Sequence, residues 1–231
     1  MSLVVLCGAA TFAVVNLLSG PFTPPAASNS AQQRWKWRNV ATSLVHSVIT
    51  GTWAAAAFCQ VDIVTLRQTG DIPLSLQAPH MKDDLQGGFT ECSHTLVCFS
   101  IGYFLYDAAD MILNHRKRST YELLLHHSLV ILCYSVAVIS KQFVAFVALS
   151  LLVEINSVFL HARQLLIITS EPKKSPRYKV NALLNVVTFL LFRLFLLTYL
   201  THWIVEERHR ISQGFLTVAF IGLGIIVSGN I

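Results

Sequence analysis

Asp107, Asp110, Glu154 and Arg193 are ionisable side chains set inside long apolar runs. An ionisable group at mid-membrane costs roughly 2.5–3.5 kcal/mol on insertion scales, so four facing lipid would cost on the order of 10 kcal/mol. They must therefore face one another, a cavity or lipid headgroups. The polar residues within reach are His46, His126, His127, Asn156, Ser157 and His161. A histidine oriented by a carboxylate can take and return a proton. A guanidinium such as Arg193 can grip a phosphate with two parallel hydrogen bonds, or serve as counter-ion to a buried acid. Two histidines plus Asp107 or Glu154 have the right atoms for zinc or iron, but no His-x-x-x-His spacing supports a metal, and none is assigned. The plainer role for every one of these residues is hydrogen bonding inside a helical core.

Helical spacing sorts the polar residues onto faces. Asn39, Ser43, His46 and Thr50 fall on one stripe. Tyr103, Asp107 and Asp110 form a second, and Ser150, Glu154, Ser157 and His161 a third. Three otherwise apolar helices with one polar stripe each pack most simply with the stripes turned inward. His126 and His127 are neighbours, so their side chains leave the helix ~100° apart and do not aim at one atom.

The elements that must carry these stripes follow from composition. Of 231 residues, 54% are hydrophobic and only 13% charged, too few to cover a soluble domain of this size. The apolar residues fall into blocks long enough to cross ~30 Å of hydrocarbon. These are Ser2–Ser19, Val40–Cys59, Ser93–Leu113, Tyr121–Ser140, Phe143–Leu165, Val180–Val205 and Phe215–Ile231. Barrel strands are shorter and alternate apolar with polar residues, which these blocks do not. The expected fold class is all-α, a polytopic transmembrane helical bundle of about seven spans. The first block lacks the basic flank of a signal peptide, although Ala26-Ala27-Ser28 has the look of a cleavage site. The last block runs to Ile231 without a polar tail, which leaves a truncated or alternative form open.

Lysine and arginine set the orientation. Arg34, Lys36 and Arg38 follow the first block, Arg116, Lys117 and Arg118 the third, and Lys173, Lys174, Arg177 and Lys179 the fifth. The alternate loops are acidic, minimal or balanced: Asp62, Asp71, Asp83, Asp84 and Glu91 against Arg67 and Lys82, then Lys141, then Glu206–Arg210. The basic loops are expected on the cytoplasmic side, the N-terminus outside and the C-terminus inside. The net charge of +5 thus reports topology, and nucleic acid is not an expected partner. With that orientation the polar set clusters in the cytoplasmic half, as a chamber open toward the cytosol or its leaflet. Five cysteines cannot all pair. Cys59 and Cys92, bracketing the acidic loop, are the one candidate disulfide. No phosphate-binding loop, nucleophile elbow or His-Glu-x-x-His motif occurs.

Three runs carry a resemblance. Tyr103-Phe-Leu-Tyr-Asp107-Ala-Ala-Asp110, Glu122-Leu-Leu-Leu-His126-His127 and Leu151-Leu-Val-Glu154-Ile-Asn156-Ser157 occur in order. Together they resemble the TLC-domain family, which includes ceramide synthases and translocon-associated membrane proteins. Trp35-Lys-Trp-Arg-Asn39 before Ser43-Leu-Val-His46, with Phe192-Arg193-Leu194, resembles one branch of it. The resemblance covers about residues 34–225 and implies a multi-span bundle with lipid-related work. It divides the chain into residues 1–33, a first helix and loop, and 34–231, a TLC domain. His126 and His127 match the histidine pair of the ceramide synthases. Their later His-Asp-x-x-Asp element has no match, since the corresponding stretch reads Val153-Glu154-Ile155-Asn156-Ser157.

The resemblance therefore implies a regulator of plasma-membrane phospholipid composition and fluidity more than an enzyme. Its chamber residues would be His46, Asp107, Asp110, Asn156, Ser157, His161 and Arg193. The runner-up is an acyltransferase using acyl-CoA, with His126 or His127 as base and Glu154 or Asp107 orienting it. A lipid transporter or adaptor is the third. The implied partners are membrane phospholipids and proteins of lipid metabolism, without a resident cofactor. The implied location is the plasma membrane, or else the endoplasmic reticulum membrane.

Overall fold

A computed structural model describes residues 1–68, 84–114 and 118–228, with side chains omitted at 59–68, 119, 222–223 and 225–228. Asp71, Lys82, Asp83, Arg116 and Lys117 lie outside the described residues, as do the side chains of Cys59, Asp62 and Arg67.

Among the described residues there are helices and no strands. The α-helices are α1 (Ser2–Ser19), α2 (Ala31–Gln68), α3 (Glu91–Asn114), α4 (Arg118–Ser140), α5 (Val144–Ser150), α6 (Glu154–Ile168), α7 (Pro176–Thr188), α8 (Leu196–Glu206) and α9 (Gln213–Ser228). Six helical stretches are long and apolar enough to span a membrane, namely 2–19, 31–58, 91–114, 120–140, 144–168 and 176–209. α9 follows as a 16-residue apolar helix.

Three boundaries differ from the sequence reading. Arg34, Lys36 and Arg38 are not in a loop; they occupy the first turns of α2. Ser30 explains the early start, because its Oγ accepts the amide N–H of Gln33 at 3.1 Å, and Ser-x-x-Gln is a helix-start signature. The fifth block is broken by a 3₁₀ turn at Leu151–Val153, immediately before Glu154. Ser150 contributes by donating its hydroxyl to the Val147 carbonyl at 2.7 Å, a back-bond that tightens the turn. The sixth block widens into a π-helix at Phe189–Phe195 around Arg193. Both irregular stretches interrupt runs without Gly or Pro; the first immediately precedes Glu154 and the second contains Arg193.

Glycine allows two close helix crossings. A Cβ at Gly8 of α1 would lie 2.7 Å from the Phe99 carbonyl of α3, and one at Gly102 would meet the Val5 carbonyl. α1 and α3 thus touch backbone to backbone, as small residues permit in membranes. Gly51 does the same for α2 and α6, where a Cβ would stand 3.1 Å from the Ile155 amide.

The tightly packed core lies at one end. Leu96, Val97 and Ile101 of α3, Ala137 and Val138 of α4, Ala145 and Ala148 of α5, and Leu200 of α8 close together there. The short α5 is its centre, packing on α3, α4 and α8. The turn into α5 holds Lys141 (φ 56°) and Phe143 (φ 60°) in the left-handed region. Such backbone costs about 1–3 kcal/mol per residue. Burial of the Phe143 ring against Phe215 at 4.8 Å, and its amide bond to the Gln86 carbonyl at 2.7 Å, offset it. At the other end, which carries Lys36, Lys173 and Lys174, the bundle is hollow.

Candidate functional site: a polar chamber at the basic end

The hollow is a cavity of about 530 Å³ bounded by α2, α3, α4, α6 and the π-helix. Gln32, Trp35, Lys36, Thr120 and Gln164 lie toward its basic end. Deeper are Asn39, Ser43, His46, Tyr103, Asp107, His126, His127, Glu154, Ser157, His161 and Arg193. The stripes converge on the cavity, each short of one member. Thr50 donates its hydroxyl to the His46 carbonyl at 2.8 Å, Asp110 sits behind Asp107, and Ser150, one turn above Glu154, meets the Tyr134 hydroxyl at 3.3 Å.

Asp107 is held from two sides. Its Oδ1 accepts from Asn39 Nδ2 at 2.6 Å, and its Oδ2 lies 3.1 Å from His127 Nε2. His127 Nδ1 is 2.7 Å from the Leu123 carbonyl. A carbonyl only accepts, so Nδ1 carries a hydrogen. One further proton is then shared between Nε2 and the carboxylate. Both ring nitrogens of His127 are engaged, whereas His126 stands perpendicular to it, with ring centroids 5.9 Å apart, and also lines the cavity.

Asp110 does not line the cavity. It sits one turn behind Asp107, buried, and accepts from Trp35 Nε1 at 2.8 Å, Asn39 Nδ2 at 3.2 Å and Asn114 Nδ2 at 2.9 Å. The two aspartates thus fasten α2 to α3. Asn39 bridges both, and this is why the first turns of α2 must be helical.

Glu154 opens α6, and its Oε2 accepts from Ser47 Oγ at 2.7 Å. The same oxygen is 3.9 Å from His46 Nδ1, beyond hydrogen-bond reach. His46 is 1% exposed and stacks on Tyr103, with centroids 3.7 Å apart and planes 10° apart. Phe12 of α1 and Phe104 meet the imidazole edge-on at 5.5 Å and 5.4 Å.

Asn156 also lies off the chamber. Its Nδ2 donates to the Asn185 carbonyl at 3.0 Å, to Asn185 Oδ1 at 3.1 Å and to Thr188 Oγ1 at 3.0 Å. That contact enters the turn just before the π-helix, and a side chain set against a helix ladder is a known cause of local distortion. The next residue, Ser157, accepts from Arg193 Nη2 at 3.2 Å. Two consecutive residues of α6 thereby fix where the π-helix begins and where its guanidinium points.

Sequence reasoning did not single out Ser47, Asn185 or Thr188. Ser47 lies off the His46 stripe, and the other two belong to a block whose only polar signal was Arg193. Cys92 accepts a bond from Trp53 Nε1 at 3.2 Å. Among the described residues no group of three or more His, Cys, Asp or Glu side chains is arranged to hold a metal ion.

An all-α, multi-pass bundle with buried acids and histidines around a polar chamber is a polytopic membrane protein. The profile of the TLC domain matches residues 36–230, so the chain belongs to the TLC-domain family. It is 39% identical over 207 residues to TLC domain-containing protein 2 of Danio rerio, covering 90% of this chain and 77% of that protein. It is 34% identical over 218 residues to TLC domain-containing protein 2 of Homo sapiens, covering 94% and 76%. It is 35% identical over 196 residues to TLC domain-containing protein 1 of Gallus gallus, covering 84% and 71%. No solved structure matches.

Proposed function

We propose that the chamber receives the polar end of a phospholipid from the cytoplasmic leaflet, and that the protein thereby regulates phospholipid composition and fluidity of the plasma membrane. The observation that carries this reading is the cavity itself. Its volume of about 530 Å³ falls in the range of small-molecule sites, and it sits inside a bundle whose outer faces are apolar. Lys36 toward the basic end and Arg193 deep inside suit a phosphate. Both carboxylates on the wall already accept protein donors, Asp107 from Asn39 and Glu154 from Ser47. The test is native mass spectrometry of protein extracted in mild detergent, with lipid analysis of what is released. Bound phospholipid is expected, and Arg193→Gln with Lys36→Gln should lower its retention. Protein that carries no phospholipid, and whose removal from cells leaves plasma-membrane acyl chains unchanged, would sink the reading.

An acyltransferase is the second reading, and one observation keeps it. His126 lines the chamber beside a His127–Asp107 pair, so the base would be His126, with His127 locked between Asp107 and Leu123. Purified protein given acyl-CoA and a sphingoid base separates the two. No N-acylation is expected, because Val153 and Ser157 stand where ceramide synthases place His and Asp. Activity lost in His126→Ala would reverse the order of preference.

A further inference from the structure

His46 Nε2 is a buried polar atom with no hydrogen-bond partner, on a side chain that lines the chamber. A buried polar atom left without a hydrogen bond is costly, and a ligand that supplies the bond recovers that cost. The ring is not free to turn away. Tyr103 covers one face at 3.7 Å, and Phe12 and Phe104 meet it edge-on. Its other nitrogen, Nδ1, faces the Glu154 carboxylate at 3.9 Å. A neutral imidazole places its N–H toward a carboxylate and its lone pair away from it, because the opposite arrangement sets lone pair against negative charge. Nε2 therefore presents an acceptor, held rigidly next to a carboxylate.

We infer that His46 is a recognition residue for the bound lipid, and that its Nε2 accepts a hydrogen bond from an N–H or O–H on the lipid's polar end. The inference rests on the lipid-binding reading above and narrows it. The lipid must bring a donor to the deep wall, while its phosphate stays with Lys36 or Arg193. A primary or methylated ammonium and a glycerol hydroxyl both qualify. A quaternary ammonium or a methyl ester does not.

The experiment uses the full chain in detergent and matched dioleoyl lipids, with retention read by native mass spectrometry. One arm compares phosphatidylethanolamine, its N,N-dimethyl form and phosphatidylcholine, which differ in N–H but not in phosphate. The other compares phosphatidylglycerol with phosphatidylmethanol, which differ in hydroxyl. Wild-type protein is expected to retain the donor-bearing lipid about three- to tenfold better in at least one arm, as one hydrogen bond allows. The arm that responds names the source of the donor. His46→Phe keeps the ring stacked on Tyr103 and should erase the difference. His46→Gln returns a polar group near the Nε2 position and should restore part of it, which also covers the case in which the phenylalanine variant does not fold. Equal retention within both arms by wild-type protein, or a preference that survives in His46→Phe, would overturn the inference while lipid binding stands. Retention of no lipid in either arm would overturn the binding reading itself, and this inference with it.

Discussion

His127 and Asp107 hold one proton between them, across 3.1 Å, with every other polar atom of the pair already committed to Leu123 or Asn39. The pair ties α4 to α3 at the level of the chamber. Removing one member leaves the other stranded, at a cost of about 3–5 kcal/mol for a buried pair. His127→Ala and Asp107→Ala should each lower thermal stability in detergent. A double replacement by leucine should lose less than the sum of the two single changes. Additive losses would show that the two side chains do not act together.

Asn156 offers a second test. It makes its three contacts to span six from one amide nitrogen. Asn156→Asp removes that donor at nearly constant size, and about 1–3 kcal/mol of stability should go with it. If Asn156 also positions the π-helix, retention of phospholipid should fall to the level of Arg193→Gln. Stability lost without any change in lipid retention would separate the clamp from the guanidinium.

The helix crossings give a steric prediction. Gly102→Ala forces a methyl group onto the Val5 carbonyl and the Ala9 amide, both backbone atoms that cannot swing aside. Gly214 in α9 has nothing within 4 Å of its notional Cβ. Gly102→Ala should therefore lower the melting temperature. Gly214→Ala should be neutral or raise stability by up to about 1 kcal/mol, from helix propensity. Equal behaviour of the two variants would contradict the α1–α3 contact.

Topology is tested by labelling. In a cysteine-free background, a probe at Lys141 should react with a membrane-impermeant maleimide on intact cells, and one at Lys174 only after permeabilisation. The reverse pattern would place the chamber in the outer leaflet.

Much of this was legible in the sequence, because apolar length and polar stripes have a fixed period. The six spanning stretches and α9 follow from block length alone. The meeting of His46, Asp107 and Glu154 follows from the energy of hiding ionisable groups from lipid. What the period does not encode is where a helix departs from it. The π-helix around Arg193 adjoins contacts between distant residues, Asn156 with Asn185 and Thr188, and the 3₁₀ turn before Glu154 lies next to the close approach of Gly51 to Ile155. Read from the sequence, Asp110 belongs to the chamber by its stripe, and Asn156 by its place in the Leu151–Ser157 run and among the polar residues within reach. Each instead serves as a fastener behind it, a distinction that only the packing of a neighbouring helix creates. The helical start of α2 had a local signal, Ser30 three residues before Gln33, in a stretch whose lysine and arginine otherwise read as loop.

The uneven packing of the bundle limits what traffic it can support. One half is a cup, and the other is filled by α5 and the side chains of Leu96, Val97, Ile101 and Leu200. The apolar void of about 100 Å³ in that filled half shares no lining residue with the cup, and Tyr134 and Ser150, 3.3 Å apart, belong to its wall. A guest that enters from the basic end meets a dead end and must leave by the door it came through. If the guest is a lipid, as proposed, this state would let it exchange with a single leaflet only. Passage across would require α5 to be drawn out of its seat like a cork.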